Sequence, residues 1–216
     1  MAVYARLLEH FGPQHWWPGE TPLEVMVGAV LTQNTAWVNV ERAIDALRAA
    51  GELSLEALVR ITEEDLARRI RPAGYFRVKA RRLKNLILTA HGLGDGDLDA
   101  FLARPTDELR QTLLAVSGVG PETADSILLY AAQRPVFVVD AYTRRALLRH
   151  RWILPQARYR EIQSVFMKHL PPDVALYNEY HALWVAVGKT WCRPTPRCAG
   201  CPLEGFPPLR HPRAWD

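Results

Sequence analysis

Leu113-Leu114-Ala115-Val116-Ser117-Gly118-Val119-Gly120-Pro121-Glu122-Thr123-Ala124 is the stretch on which the reading of this chain turns. Two helical patterns meet here at Gly-x-Gly. The glycines permit positive φ and let the backbone come close to another group. Pro121 stands where a second helix should begin, and a helix start offers N–H groups that suit a phosphate oxygen. A plain tight turn between helices would also explain two glycines, so the flanking sequence has to decide.

Moving outward, helical periodicity dominates. Residues 22–34 predict a largely buried helix after Pro22. Val40, Ile44 and Leu47 share one face of a helix over 37–50, which Gly51 stops. Ser54 and Thr62 open short helices over 54–60 and 63–70, with acids following each cap. Further helices are expected over 76–91, 106–116 (opened by Thr106), 121–132, 141–149, 158–170 and 174–188. Val136-Phe137-Val138-Val139 is the one β-like run, and without partner strands it cannot build a sheet. The expected class is therefore all-α. The proline-rich tail from residue 193 should be irregular.

Composition agrees with a folded domain. The chain has 216 residues, 49% of them hydrophobic, and a net charge of +4. That excludes global disorder. The apolar run Val25–Leu31 is far short of the roughly 20 residues of a membrane span. Charges within the first ten residues argue against a secretory leader. The three cysteines are odd in number and clustered, unlike a secreted disulfide framework. A cytosolic protein with clustered thiols is expected.

The small net charge hides an uneven distribution. Arg68, Arg69, Arg71, Arg77, Lys79, Arg81, Arg82 and Lys84 lie between Leu66 and Leu86 with no acid among them. A solvated helix face and a footprint for a phosphate backbone both fit such a run. A second cluster, Arg144, Arg145, Arg149 and Arg151, favours nucleic acid.

Taken with four further segments, the hairpin resembles the helix-hairpin-helix DNA glycosylase superfamily that contains endonuclease III. Those segments are Leu31-Thr32-Gln33-Asn34-Thr35, Gly74-Tyr75-Phe76-x-x-Lys79-Ala80, Val138-Val139-Asp140 and the terminal cysteines. The resemblance implies two helical lobes with DNA in a cleft between them. Residues 22–135 would form a barrel-like lobe, with the hairpin motif at about 108–132. Residues 1–21 and 136–216 would form the other. Gly118, Val119, Gly120, Thr123, Lys79, Arg81, Arg82 and Arg144 would meet the DNA backbone. Gln33 or Asn34 would enter the gap left in a damaged duplex.

Asp140 follows an apolar run and precedes a helix, so helix capping alone would explain it. Capping also keeps a carboxylate ionised. By resemblance Asp140 is the catalytic aspartate, an anion facing the positive charge that grows on deoxyribose as the base departs. Bifunctional relatives carry a Schiff-base lysine just before Thr-Ala. Here that position is Glu122, which argues for a monofunctional enzyme using water.

Trp16-Trp17-Pro18, Leu31-Thr32-Gln33-Asn34-Thr35, Glu122 in place of the lysine, and Gly188-Lys189 are together similar to the 3-methyladenine glycosylase branch of the endonuclease III group. In that likeness Trp16, Trp17, Trp37 and Lys189 line the pocket for a flipped base, where aromatic faces favour a cationic alkylated purine. Core packing is the plain reading of any single tryptophan. The resemblance implies a cytoplasmic, nucleoid-associated monomer whose partner is double-stranded DNA carrying a damaged base. An endonuclease III-like glycosylase for oxidised or mismatched pyrimidines, with weak lyase activity, is the alternative enzyme, and a non-catalytic helix-hairpin-helix DNA-binding role is the alternative class.

Cys192, Cys198 and Cys201 resemble the iron–sulfur loop of endonuclease III, but Pro207 stands where a fourth cysteine is expected. A [4Fe-4S] cluster on an incomplete cysteine set, a zinc site and a loop without metal all stay open. His211 is a conceivable fourth ligand.

Overall fold

The computed structural model describes residues 1–207, and every described regular element is helical. The helices are α1 (Ala2–Phe11), α2 (Pro22–Leu31), α3 (Trp37–Ala49), α4 (Leu55–Arg60), α5 (Glu63–Arg69) and α6 (Phe76–Leu93). They continue with α7 (Leu98–Leu102), α8 (Thr106–Ala115), α9 (Pro121–Ser126), α10 (Ala141–Arg149), α11 (Tyr159–His169) and α12 (Val174–Thr190). A 3₁₀ turn, Arg71–Ala73, precedes α6, and a π-helical turn, Ile127–Ala131, continues α9. The chain divides into two compact units. One is Gly19–Arg134; the other combines Met1–Pro18 with the segment from Pro135 onward.

In the Gly19–Arg134 unit, α2 is buried from Leu23 to Leu31 and runs through the core. Thr21 caps it by accepting from the Glu24 amide. Buried Glu24 is paired with Arg48 at 2.9 Å and also accepts from the Glu20 amide, so its charge is not left isolated. Ser54 and Thr62 cap α4 and α5 as expected. Thr106 is the first residue of α8 rather than its cap, which is Pro105. Helix α6 presents Ala80, Leu83, Leu86, Ile87 and Ala90 to the core at three- and four-residue steps. The two hairpin helices are joined by a bidentate ion pair. Arg110 on α8 reaches both carboxylate oxygens of fully buried Asp125 on α9, at 2.7 and 3.0 Å.

The other unit is built on aromatic rings. Phe137 stacks on Phe166 with centroids 3.9 Å apart, and Tyr180 stacks on Trp184 at 5.7 Å. Tyr4 of α1 meets Tyr180 edge-on. Side chains of α11 satisfy the extended run 136–139 in place of a partner strand. Gln163 donates to the Phe137 carbonyl at 2.7 Å, and the Tyr159 hydroxyl accepts from the Val139 amide at 3.3 Å.

Candidate active site

Asp140 is the N-cap of α10, and its Oδ1 accepts from the Thr143 amide at 2.7 Å. Only 8% of the residue is exposed. Its other oxygen, Oδ2, faces Nε2 of buried His181 on α12 at 3.7 Å, an ion-pair distance rather than a hydrogen bond. Burial alone would push the Asp140 carboxyl up. The facing imidazole and the bonds from Thr143 outweigh it, and the carboxyl lies below the ordinary carboxylate range. The group is an anion at neutral pH. Sequence reasoning missed His181. A lone histidine on a buried helix face carries no signal until α10 and α12 are packed.

Gly188 makes that packing close. A Cβ at Gly188 would lie 2.3 Å from Cδ1 of Tyr142 on α10, so only glycine admits the ring. Arg145 adds bonds from α10 to the carbonyls of Gly188 and Cys192. One residue on, Lys189 is exposed and holds its ammonium 5.5 Å from the centre of the Trp16 ring, within cation–π reach. Trp16 and Trp17 are half-buried and meet edge-on at 5.5 Å. Three of the four expected pocket residues therefore gather in the unit that carries Asp140. Trp37 belongs to the Gly19–Arg134 unit, in the first turn of α3, where its Nε1 donates to Glu41 at 2.8 Å.

The expected DNA-backbone set divides into exposed residues and residues bonded within the protein. Gly118 has φ +96° at the tip of the hairpin, Gly120 is the exposed cap of α9, and Arg81 is exposed beside Glu63. Lys79 is not a surface contact. It is 2% exposed, and its ammonium donates to the Leu31 and Ala73 carbonyls, both at 2.8 Å. Burial, with the charge of Arg82 second, lowers its pKa to about 8. Val119 is buried, and its amide closes the turn on the Val116 carbonyl. Thr123 is buried, and its hydroxyl accepts from Gln33. Arg144 is half-buried and ties down the carbonyls of Pro155 and Ala157. These four were expected on DNA because charge and motif position are visible in sequence, while burial is not.

The rest of the basic run disperses likewise. Arg68 pairs with Asp65 and Arg69 with Glu52. Lys84 donates to three carbonyls at the end of α4, of Leu58, Val59 and Ile61. Arg71 and Arg77 are exposed around Tyr75, which sits at φ +45° with 75% of its surface in solvent. Tyr75 belongs to the Gly74-Tyr75-Phe76 segment, and its exposure is a tertiary feature that helical spacing does not encode.

Asn34 is exposed at φ +54°, a left-handed conformation that asparagine tolerates. Gln33 is half-buried and bonded to the hairpin. Glu122 is exposed in the first turn of α9.

The cysteine loop does not fit a four-ligand metal centre among the described residues. Cys192 is buried, Cys198 exposed and Cys201 half-buried, and no three Cys, His, Asp or Glu side chains converge there. Pro207 contributes a backbone carbonyl to Trp152 Nε1 at 2.9 Å. Arg149 braces the loop through the Arg193 and Pro194 carbonyls and lies 3.4 Å from Cys192 Sγ. His211 lies outside the described residues.

Residues 27–172 match the family model for the HhH-GPD superfamily base excision DNA repair protein. The chain belongs to that superfamily. A Methanocaldococcus jannaschii protein with the provisional name of DNA repair glycosylase is 47% identical over 205 residues, covering 94% of this chain and 93% of the relative. The structure of H. pylori 3-methyladenine DNA glycosylase bound to 1,N6-ethenoadenine is 29% identical, with TM-score 0.73 over 87% of this chain and 95% of that one. An endonuclease III–DNA complex superposes with TM-score 0.78 at 22% identity, over 94% of this chain and 90% of that one, which is a likeness of fold. The HhH-GPD assignment makes the chain a base excision repair glycosylase by family, and the all-α expectation holds.

Proposed function

We propose that this HhH-GPD protein is a monofunctional DNA glycosylase that flips out an alkylated purine, such as 3-methyladenine, and hydrolyses its N-glycosidic bond. The observation that carries this reading is the Asp140 carboxylate, buried yet held ionised, in the same unit as the Trp16–Lys189 pair. The likeness to the H. pylori enzyme supports the substrate class.

A purine alkylated at N3 is cationic. When its N–C1′ bond breaks, the base takes the bonding electrons and leaves neutral, so little acid assistance is needed. Positive charge then grows on the sugar, where a fixed anion stabilises it. Water adds to C1′, and Asp140 or solvent takes the released proton. Glu122 cannot form a Schiff base, so no strand cleavage follows base loss. The partner is duplex DNA with a damaged base. Gly118, Gly120 and Arg81 meet its backbone, and the Gln33–Asn34 turn and Tyr75 meet the gap.

The test uses duplexes carrying 3-methyladenine, thymine glycol, uracil or a T·G mismatch, each with and without alkali. Strand breaks at 3-methyladenine that appear only after alkali are expected. Breaks without alkali would overturn the monofunctional reading. Release only from pyrimidine lesions would move the enzyme to the endonuclease III-like substrate class.

A further inference from the structure

Three polar residues at three-residue steps along α6 each fasten a loop of the Gly19–Arg134 unit. Lys79 donates to the Leu31 carbonyl at the end of α2 and to the Ala73 carbonyl before Tyr75. Arg82 donates to Oε1 of Gln33. Asn85 donates to the Ser117 carbonyl in the hairpin at 3.2 Å. Side chains three apart on a helix lie on one face. One stripe of α6 thus holds the turn after α2, the turn before α6 and the hairpin.

Arg82 and Gln33 form the centre of this arrangement. The Arg82 stem lies under the hairpin so closely that a Cβ at Gly118 would be 2.2 Å from Arg82 Cγ. Its guanidinium holds the oxygen of Gln33, while the amide nitrogen of Gln33 donates to the Gly118 carbonyl at 3.3 Å and to Thr123 Oγ1 at 3.0 Å. Gln33 therefore has bonding partners for both ends of its amide, and all of them belong to the hairpin or to α6. Glycine at 118 serves two needs at once, the positive φ and the space for the arginine stem.

We infer that Arg82 is a positioning residue that locks the Gln33–Asn34 turn to the hairpin, rather than a phosphate ligand. The inference rests on the glycosylase reading, in which this turn enters the damaged duplex while the hairpin holds the backbone. Coupling the two through one arginine sets the turn at a fixed height above the bound backbone. Arg82 then governs preference for duplexes with a gap, and contributes little to general electrostatic attraction.

The two roles predict different salt behaviour. Binding is measured by fluorescence anisotropy, over a series of salt concentrations, on a duplex with a tetrahydrofuran abasic analogue and on the intact duplex. For Arg82→Met the preference for the abasic duplex should fall about tenfold with the salt slope unchanged. Gln33→Ala should lose a similar factor, and the double variant should be no worse than either single one. Arg82→Lys should restore part of the preference. Thr123→Val keeps the shape but removes one acceptor of Gln33, and should lose a smaller part of the preference; it carries the test if Arg82→Met melts too low to use. A fall in slope of about one charge, with both duplexes weakened equally, would make Arg82 a phosphate contact and overturn the inference. Additive losses, or an unchanged preference in Thr123→Val, would also overturn it. Wild-type protein that binds neither duplex would overturn the glycosylase reading along with it.

Discussion

Oδ2 of Asp140 lies 3.7 Å from Nε2 of His181, while Oδ1 of the same carboxylate caps α10. One oxygen is thus committed to the fold, and the other faces an imidazole on α12. Asp140→Asn preserves the cap, because asparagine caps as well as aspartate, but removes the anion. Base release should fall by about 10²-fold or more, while the variant still folds and loses at neutral pH only the stabilisation owed to the charge. Single-turnover release with thermal melting in parallel checks this, and an active Asp140→Asn would refute the catalytic assignment.

The same lowered carboxyl pKa gives an acid prediction. The folded Asp140 pKa is below its unfolded value, so its stabilising contribution is complete above the unfolded value and is lost as pH falls through the folded one. Acid unfolding of Asp140→Asn should be correspondingly flatter in that range. His181→Ala should move the Asp140 titration upward, which a carboxyl-labelled NMR titration would read.

Lys79 gives the same slope in a higher pH window, because burial disfavours its charged form. Its folded pKa is lowered to about 8 from 10.5. Between those values the unfolded chain holds a proton that the folded chain does not, so this group makes stability rise with pH there. Denaturant melts across that window should show the rise, and Lys79→Met should abolish it. The same variant leaves the Leu31 and Ala73 carbonyls without the ammonium and should destabilise by about 1–3 kcal/mol.

Gly188→Ala drives a methyl group into the Tyr142 ring. Overpacking there should cost about 1–3 kcal/mol and shift α10, with Asp140 at its cap, against α12. Activity should fall together with melting temperature. The double variant Gly188→Ala/Tyr142→Ala should recover part of the stability.

Trp16→Ala removes the ring beneath Lys189 and should weaken binding of a flipped cationic purine by about 1–3 kcal/mol, read as a higher KM. Lys189→Met should leave Trp16 in place and change the ranking of cationic against neutral substrates. If neither variant alters KM, these residues do not line the pocket.

Anaerobically purified protein should show no visible iron–sulfur band and little bound iron, since Pro207 stands at the fourth-cysteine position and no three metal-binding side chains converge among the described residues. A coloured, iron-loaded sample would mean that the loop rearranges around a cluster.

Except for α1 and the short α7, the amino-acid sequence by itself determined the helices, many of their ends and the superfamily. These depend on local spacing, caps and glycine positions, which are one-dimensional signals. Ser54, Thr62 and the Gly118-Val119-Gly120 turn act where the spacing put them. Asp140 was legible because its capping position and its motif coincide. What the positive charges do was decided only by tertiary structure. Arg82, Arg144 and Lys79 look alike in a basic sequence, yet each hydrogen-bonds within the protein, two to carbonyls and one to Gln33. Whether a cation meets solvent or a buried carbonyl depends on which distant loops fold beside it. The same holds for His181, which acquires a role only when α10 and α12 bring it to Asp140.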